Sequence, residues 1–361
     1  MSLKKRDIVR KGIILLIILY VFLLSIKLMG MSFKLFGMDF ATGLFNLTSN
    51  PLAGLFVGIL ATSMIQSSST TTALIVGLVA GGILDIASAI PIIMGANVGT
   101  SVTNTIVSLS HKKQDKEFKK AFSTAFVHDI FNILTLAILF PIEILFHPIE
   151  KIALFFTTMF VGTTATNFTS PLVLIITPVA KYLEVAVFAK NPFFMVAASL
   201  IVLFISLNFF VRIAKPLAKT EFKEVLNNSI FKNPRRSFIF GILLTAFVQS
   251  SSVTTSLIVP VTAVGLLTLE KVYPYILGAN IGTTITALLA ALATGSSFAL
   301  TVALSHLIYN IFGISIFYPL RKIPINISIW FTEHAIHSRR YAIAYIIAIF
   351  YILPFIVLFL F

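Results

Sequence analysis

Polar and apolar positions alternate here on a scale much longer than a helical turn. Long apolar runs are cut by short polar ones, and one polar run occurs twice: QSSSTTT at 66–72 and QSSSVTT at 249–255. Apolar runs over about 12–30, 88–109, 121–146, 193–213, 272–292, 299–320 and 341–361 each predict a helix long enough to cross a bilayer, which takes about 20 residues. The arms on either side of Gln66 and Gln249 are shorter, about 15 residues each, so each polar heptad is expected at the tip of a re-entrant helical hairpin (51–84 and 237–268). The apolar stretches 152–163 and 171–189 fit neither pattern and are expected to lie along the membrane surface within an outer-side connection, 147–192.

The heptads belong to a longer repeat. With a shift of 183 residues, Gly58 falls on Gly241, Gln66 on Gln249 and Pro91 on Pro274, and GANVGTSVT (95–103) falls on GANIGTTIT (278–286). Across 58–103, 24 of 46 positions are identical without a gap. The first helix lands on the apolar run at about 195–213, and HDIFN (128–132) matches HLIYN (306–310) at a shift of 178. The chain therefore divides into a first repeat (1–146), the connection (147–192), a second repeat (193–323) with a linker at 214–236, and a C-terminal segment with the last helix (324–361).

Composition agrees with the pattern. Of 361 residues 58% are hydrophobic and 11% charged, with mean hydropathy +1.00, against about 25% charged in a soluble domain. The fold class expected is an all-α polytopic membrane protein with about seven crossings. The net charge of +14 collects at helix ends, from Lys4 to Lys11, Lys112 to Lys120, Arg212 to Arg236 and Arg321 to Arg340. That placement is a topology signal and excludes a nucleic-acid partner. All four clusters fall on the cytoplasmic side only if the two repeats are inverted, with hairpins entering from opposite faces, the N-terminus inside and the C-terminus outside. The segment MSLKKRDIVRKG precedes an apolar run with no small-residue cleavage site, so it reads as a retained first helix. The absence of cysteine excludes disulfides and thiolate metal sites.

Irregular polar backbone at membrane depth needs protein or a water-filled cavity to satisfy it. Inverted repeats with interrupted helices are a transporter signature, with the site between the repeats. A tip that begins a helix presents free N–H groups suited to an oxyanion, and Ser67 to Ser69 and Ser250 to Ser252 add hydroxyl donors. The same hydroxyls, with Gln and Asn carbonyls, offer oxygens to a hard cation. The GANVGT and GANIGT segments are expected to break their helices at glycine and to expose such oxygens. Close packing by small residues is the competing reading for those glycines. Asp129 lies inside an apolar helix where the second repeat has Leu307; it either binds a cation, carries a proton, or reaches water beyond Lys120. His128 and His306 read as packing donors, and Asp85 and Glu270 as interfacial. No Walker loop, HExxH pair or GxSxG elbow is present, and the duplication argues against a Ser–His hydrolase.

QSSS twice, IMGANVGTSVTNTIVSL, AFVHDIFN, LGANIGTT and ALSHLIYNIFGISIFYP together resemble the type II sodium-dependent phosphate cotransporters, over about 50–146 and 195–355. The resemblance implies a secondary transporter, not an enzyme, that carries inorganic phosphate with Na+ by alternating access and has no organic cofactor. It implies phosphate at Ser68, Ser69, Ser251 and Ser252. It implies Na+ at Gln249, Ser250, Thr283 and Thr286, with Asn280, and at Gln66, Ser67, Asn97, Thr100 and Thr103 in the first repeat. Asp129 matches the aspartate of the electrogenic members, which implies three Na+ per divalent phosphate. Animal members carry a long disulfide-linked outer loop between the halves, whereas 147–192 is short, and the compact form suggests a prokaryotic plasma membrane. A symporter of another oxyanion and an anion channel remain the alternatives, and oligomeric state is not legible.

Overall fold

The computed structural model describes residues 2–36, 50–109, 115–162, 167–227, 230–337 and 339–360. Lys112 and Lys113 of the second basic cluster, positions 163–166 of the connection and 228–229 of the linker lie outside them. The described chain is helical, with one isolated antiparallel bridge between Asn167 and Ser296. In order, the helices are α1 (Ser2–Phe36), α2 (Pro51–Ile65), α3 (Ser68–Ala80), α4 (Ile86–Gly99), α5 (Val102–Ser108), α6 (Asp115–Phe146), α7 (Pro148–Val161) and α8 (Pro171–Tyr182). Then come α9 (Pro192–Asn227), α10 (Pro234–Val248), α11 (Ser251–Ala263), α12 (Leu269–Thr294), α13 (Ser297–Phe317), α14 (Lys322–His337), α15 (Arg339–Ile347) and α16 (Leu353–Leu360).

Seven described segments are long and apolar enough to cross a membrane: 9–35, 86–108, 117–146, 192–217, 269–294, 297–317 and 340–360. They coincide with the seven apolar runs of the sequence. The arms α2, α3 and α11 are apolar but only 15, 13 and 13 residues long. At 1.5 Å per residue the longest of them spans about 22 Å, short of the roughly 30 Å hydrocarbon core.

Why these segments form helices is largely a matter of caps. Asn50 and Asn233 accept backbone N–H bonds at the starts of α2 and α10, each followed by Pro at the first helical position. Asp85 accepts from the Ser88 N–H at the start of α4, and Ser296 from Ala299 N–H at the start of α13. The connection forms two helices, α7 and α8, each opened by a proline. Helix α9 does not stop at 213. It continues through Pro216 to Asn227, because PLAKTEFKEVLN is rich in helix formers, so the first part of the expected linker is helical.

The most extensive packing pairs α2 with α4, α10 with α12 and α1 with α9. Lipid is as apolar as leucine, so helices in a membrane associate through close contact rather than through the hydrophobic effect. The glycines provide that contact. A Cβ on Gly58 would collide with the Ile92 carbonyl of α4, and one on Gly95 with the Leu55 carbonyl of α2. Gly241 and Gly278 meet the Tyr275 and Phe238 carbonyls in the same way. The packing reading therefore holds for Gly95 and Gly278 of the GAN segments.

The break expected in both GAN helices occurs in one. Helix α4 ends at Gly99 and α5 begins at Val102, whereas α12 runs unbroken from Leu269 to Thr294. The Asn97 carbonyl, which would accept from the Ser101 N–H in a continuous helix, instead accepts from Asn132 Nδ2 of α6 at 3.0 Å. The Ser101 N–H turns to Val98 O. Asn310, the counterpart of Asn132, spends its Nδ2 on His306 O in its own helix, so α12 is left intact.

Candidate functional site

Each polar heptad builds the same short corner. Gln66 ends α2 in the left-handed region (φ 57°, ψ 28°) and Gln249 ends α10 at φ 58°, ψ 25°. For a residue with a Cβ that conformation carries strain. The Gln66 N–H bonds Thr62 O, and the Gln249 N–H bonds Thr245 O. The next residue turns extended and caps the following helix: the Ser67 hydroxyl accepts from Thr70 N–H, and that of Ser250 from Val253 N–H. Helices α3 and α11 thus begin at Ser68 and Ser251, and their first N–H groups have no partner within the helix.

The two corners meet. Ser69 Oγ donates to the Gln249 carbonyl at 2.9 Å, and Thr286 Oγ1 donates to Ser69 Oγ at 3.5 Å. Ser252 Oγ donates to the Thr100 carbonyl at 3.4 Å. The hydroxyl contacts therefore cross between repeats, tip one with α12 and tip two with the break after α4. Ser68, Ser69, Ser251 and Ser252 are all buried.

Several predicted residues keep oxygens without a hydrogen-bond partner although buried: Gln249 Oε1, Ser251 Oγ, Thr103 Oγ1 and Asp129 Oδ1. Desolvated acceptors of this kind are costly unless something positive faces them. An oxygen-only set fits Na+, and the Ser251 hydroxyl fits an oxyanion or a cation. Thr100 and Thr283 bond their own helices, to Ala96 O and Ala279 O, and retain lone pairs. Gln66 is exposed, unlike Gln249.

Asp129 does not reach water. It is fully buried, its Oδ2 accepts from Thr105 Oγ1 at 2.8 Å, and Ser101 also faces it. Thr105 and Ser101 were not among the predicted ligands; their positions just after the GAN motif, one turn apart from each other, were the available signal.

The two GAN asparagines are committed to protein. Asn97 Nδ2 donates to Asn310 Oδ1 at 3.1 Å, and Asn280 Nδ2 donates to Asn132 Oδ1 at 2.9 Å. Each repeat's GAN asparagine thus bonds the last asparagine of the other repeat's H-x-x-aromatic-N motif. Asn280 Oδ1 accepts from His128 Nε2 at 2.6 Å, and Asn104 Nδ2 lies 3.3 Å from His128 Nδ1. His128 is the packing donor expected, whereas both ring nitrogens of His306 lack a partner. The duplicated motif marked Asn132 and Asn310, but only the fold shows that they clamp the repeats together.

A family model described as Na+/Pi-cotransporter matches residues 21–167 and 202–331. Sodium-dependent phosphate transport protein 2A of Rattus norvegicus is 33% identical over 93% of this chain and 65% of its own length. Protein 2B of Homo sapiens is 32% identical over 95% of this chain and 64% of its own, and protein 2B of Pongo abelii is likewise 32% identical over 95% and 64%. The chain thus spans about 65% of the length of such relatives. No solved structure matches.

Proposed function

The chain belongs to the Na+/Pi-cotransporter family, and from that premise we propose that it is a secondary transporter, not an enzyme, moving inorganic phosphate inward with Na+. The observation that carries the reading is the meeting of two helix N-termini, joined by the Ser69–Gln249 bond and lined with buried hydroxyls and unpartnered oxygens. In this reading, N–H groups at the starts of α3 and α11, with Ser68, Ser69, Ser251 and Ser252, hold the tetrahedral anion. Gln249, Ser250, Thr283 and Thr286 supply oxygens for one Na+. Gln66, Ser67, Thr100 and Thr103 supply them for a second. Asp129, with Thr105 and Ser101, adds a third. Asn97, with the first-repeat oxygens, and Asn280, with the second, complete the two sets in this reading, while their Nδ2 groups hold the repeats in register.

The two repeats are proposed to lie inverted in a plasma membrane, with the N-terminus cytoplasmic and the C-terminus outside. The tips and GAN helices would rock against the outer helices to give alternating access. With three Na+ per divalent phosphate, one charge enters per cycle and draws about 2.3 kcal/mol per 100 mV. At 1.36 kcal/mol per decade that supports roughly a fiftyfold ratio.

The test is radiolabelled phosphate uptake into liposomes holding the purified protein, under an inward Na+ gradient and then an equal K+ gradient. Accumulation above equilibrium with Na+ alone supports symport. Equal, downhill uptake in both would favour the channel, and unlabelled sulfate or arsenate competing better than phosphate would reassign the anion. Within the symport outcome, Ser251→Ala should raise the phosphate KM about tenfold, the loss of one charge-assisted hydrogen bond.

A further inference from the structure

A second cluster of ligating side chains lies away from the tips, where α6 turns into α7. Its members are Glu143, His147 and Glu150, each able to place a carboxylate oxygen or ring nitrogen within 4.8 Å of the other two. Glu143 is almost fully buried, and its carboxylate is held from behind: Ile149 N–H donates to Oε2 at 2.7 Å and Glu150 N–H to Oε1 at 3.0 Å. His147 occupies the corner itself between the two helices, at φ 51°. Its Nδ1 stands 3.3 Å from Glu150 Oε2. A charge-assisted N–H···O bond contracts to about 2.7–2.9 Å, so this separation is long for one. It matches the edge of a tetrahedron about an ion bound at 2.0–2.1 Å, which is roughly 3.3–3.4 Å. A cavity of about 270 Å³ opens beside the three residues and is also lined by Asp85 and Ser88 at the start of α4.

We propose that Glu143, His147 and Glu150 form a binding site for a divalent transition-metal ion, Zn2+ being the best match. One imidazole and two carboxylates are a ligand set that such ions accept with water in the fourth position. Mg2+ and Ca2+ demand six or more oxygens and gain little from imidazole. The backbone bonds to Glu143 fix its carboxylate as outer-shell partners fix metal ligands elsewhere. The ion would sit at the α6–α7 corner, facing the start of α4 across the cavity, and so would tie α6 to α7.

The binding claim is tested without transport. Metal-stripped protein in detergent is titrated with ZnCl2 by calorimetry and by thermal unfolding, alongside His147→Asn and Glu150→Gln; asparagine tolerates the left-handed backbone, and Glu143 is left in place because it caps α7. One Zn2+ per chain is expected, with affinity falling about tenfold to a hundredfold in each variant and Tm without metal unchanged. Equal affinity in wild type and both variants overturns the site, as does an equal response to Mg2+. Absence of any heat or Tm rise with Zn2+ overturns it as well.

Discussion

Tip one and tip two are copies in backbone and unlike in surroundings. Gln66 and Gln249 adopt the same left-handed conformation to within 3° in ψ, and Ser67 and Ser250 cap the next helix in the same way. Yet Gln249 is buried at 4% exposure with its Oε1 unpartnered, and Gln66 is exposed. Thr286 reaches across to Ser69, while its counterpart Thr103 is half-buried with its Oγ1 unpartnered. The helix that carries Thr103 is broken; the one that carries Thr286 is not. A duplicated sequence thus preserves local geometry, which depends on a few neighbouring residues. It does not preserve environment, which depends on everything packed around it.

The comparison breaks most severely at its shared foundation. Gly278→Leu should abolish the folded protein, because its side chain would occupy the space of the Phe238 carbonyl and overpacking even by small groups costs about 1–3 kcal/mol. Gly95→Leu should do the same, and a monodisperse, thermally stable product from either variant would show that the α2–α4 and α10–α12 crossings are not equivalent. Next in size is the difference at Asp129, which has Leu307 opposite it. Asp129→Gly should keep phosphate uptake and lose its associated current; voltage-clamped oocytes or vesicles read both, and a persisting current removes the residue from the coupling set.

A finer test contrasts the glutamines. Gln249→Ala should raise the Na+ concentration for half-maximal uptake about tenfold, equivalent to roughly 1.4 kcal/mol. Gln66→Ala should shift it about twofold or less, since an exposed side chain has little desolvation to offset. Equal shifts would mean that burial does not distinguish the tips during turnover. Smallest is an effect outside the tips. Lys119 donates to Glu333 at 2.7 Å and holds its carboxyl below the ordinary glutamate value. With the folded value depressed, the contribution is present above the unfolded pKa and lost as pH falls through the folded one. The pair is exposed, so Glu333→Gln should leave Tm nearly unchanged at neutral pH and flatten only its acid limb.

Much was legible in the residue order because membrane insertion depends on run length and charge. The seven apolar runs correspond to seven helices of crossing length, and the shift of 183 located every tip residue that the fold brings to the centre. Ser69 and Gln249 could be paired as facing tips on repeat logic alone. That only the first GAN helix breaks could not be judged that way: Asn132 takes the Asn97 carbonyl, and nothing in HLIYN says that Asn310 will instead bond its own helix. The glycines carried two readings until α2 was seen against α4.

By itself, then, the sequence determined the helical class, the duplicated tips and the polar groups they carry, since each follows from composition, period and a motif a few residues long. The tertiary structure alone decided which oxygens are left without partners, which asparagines clamp the repeats, and that Asp129 is sealed from water. It also brought Glu143, His147 and Glu150 to one corner. Those outcomes depend on side chains from separate helices competing for the same donors in a medium that supplies none, and such competition is settled only when the helices are packed.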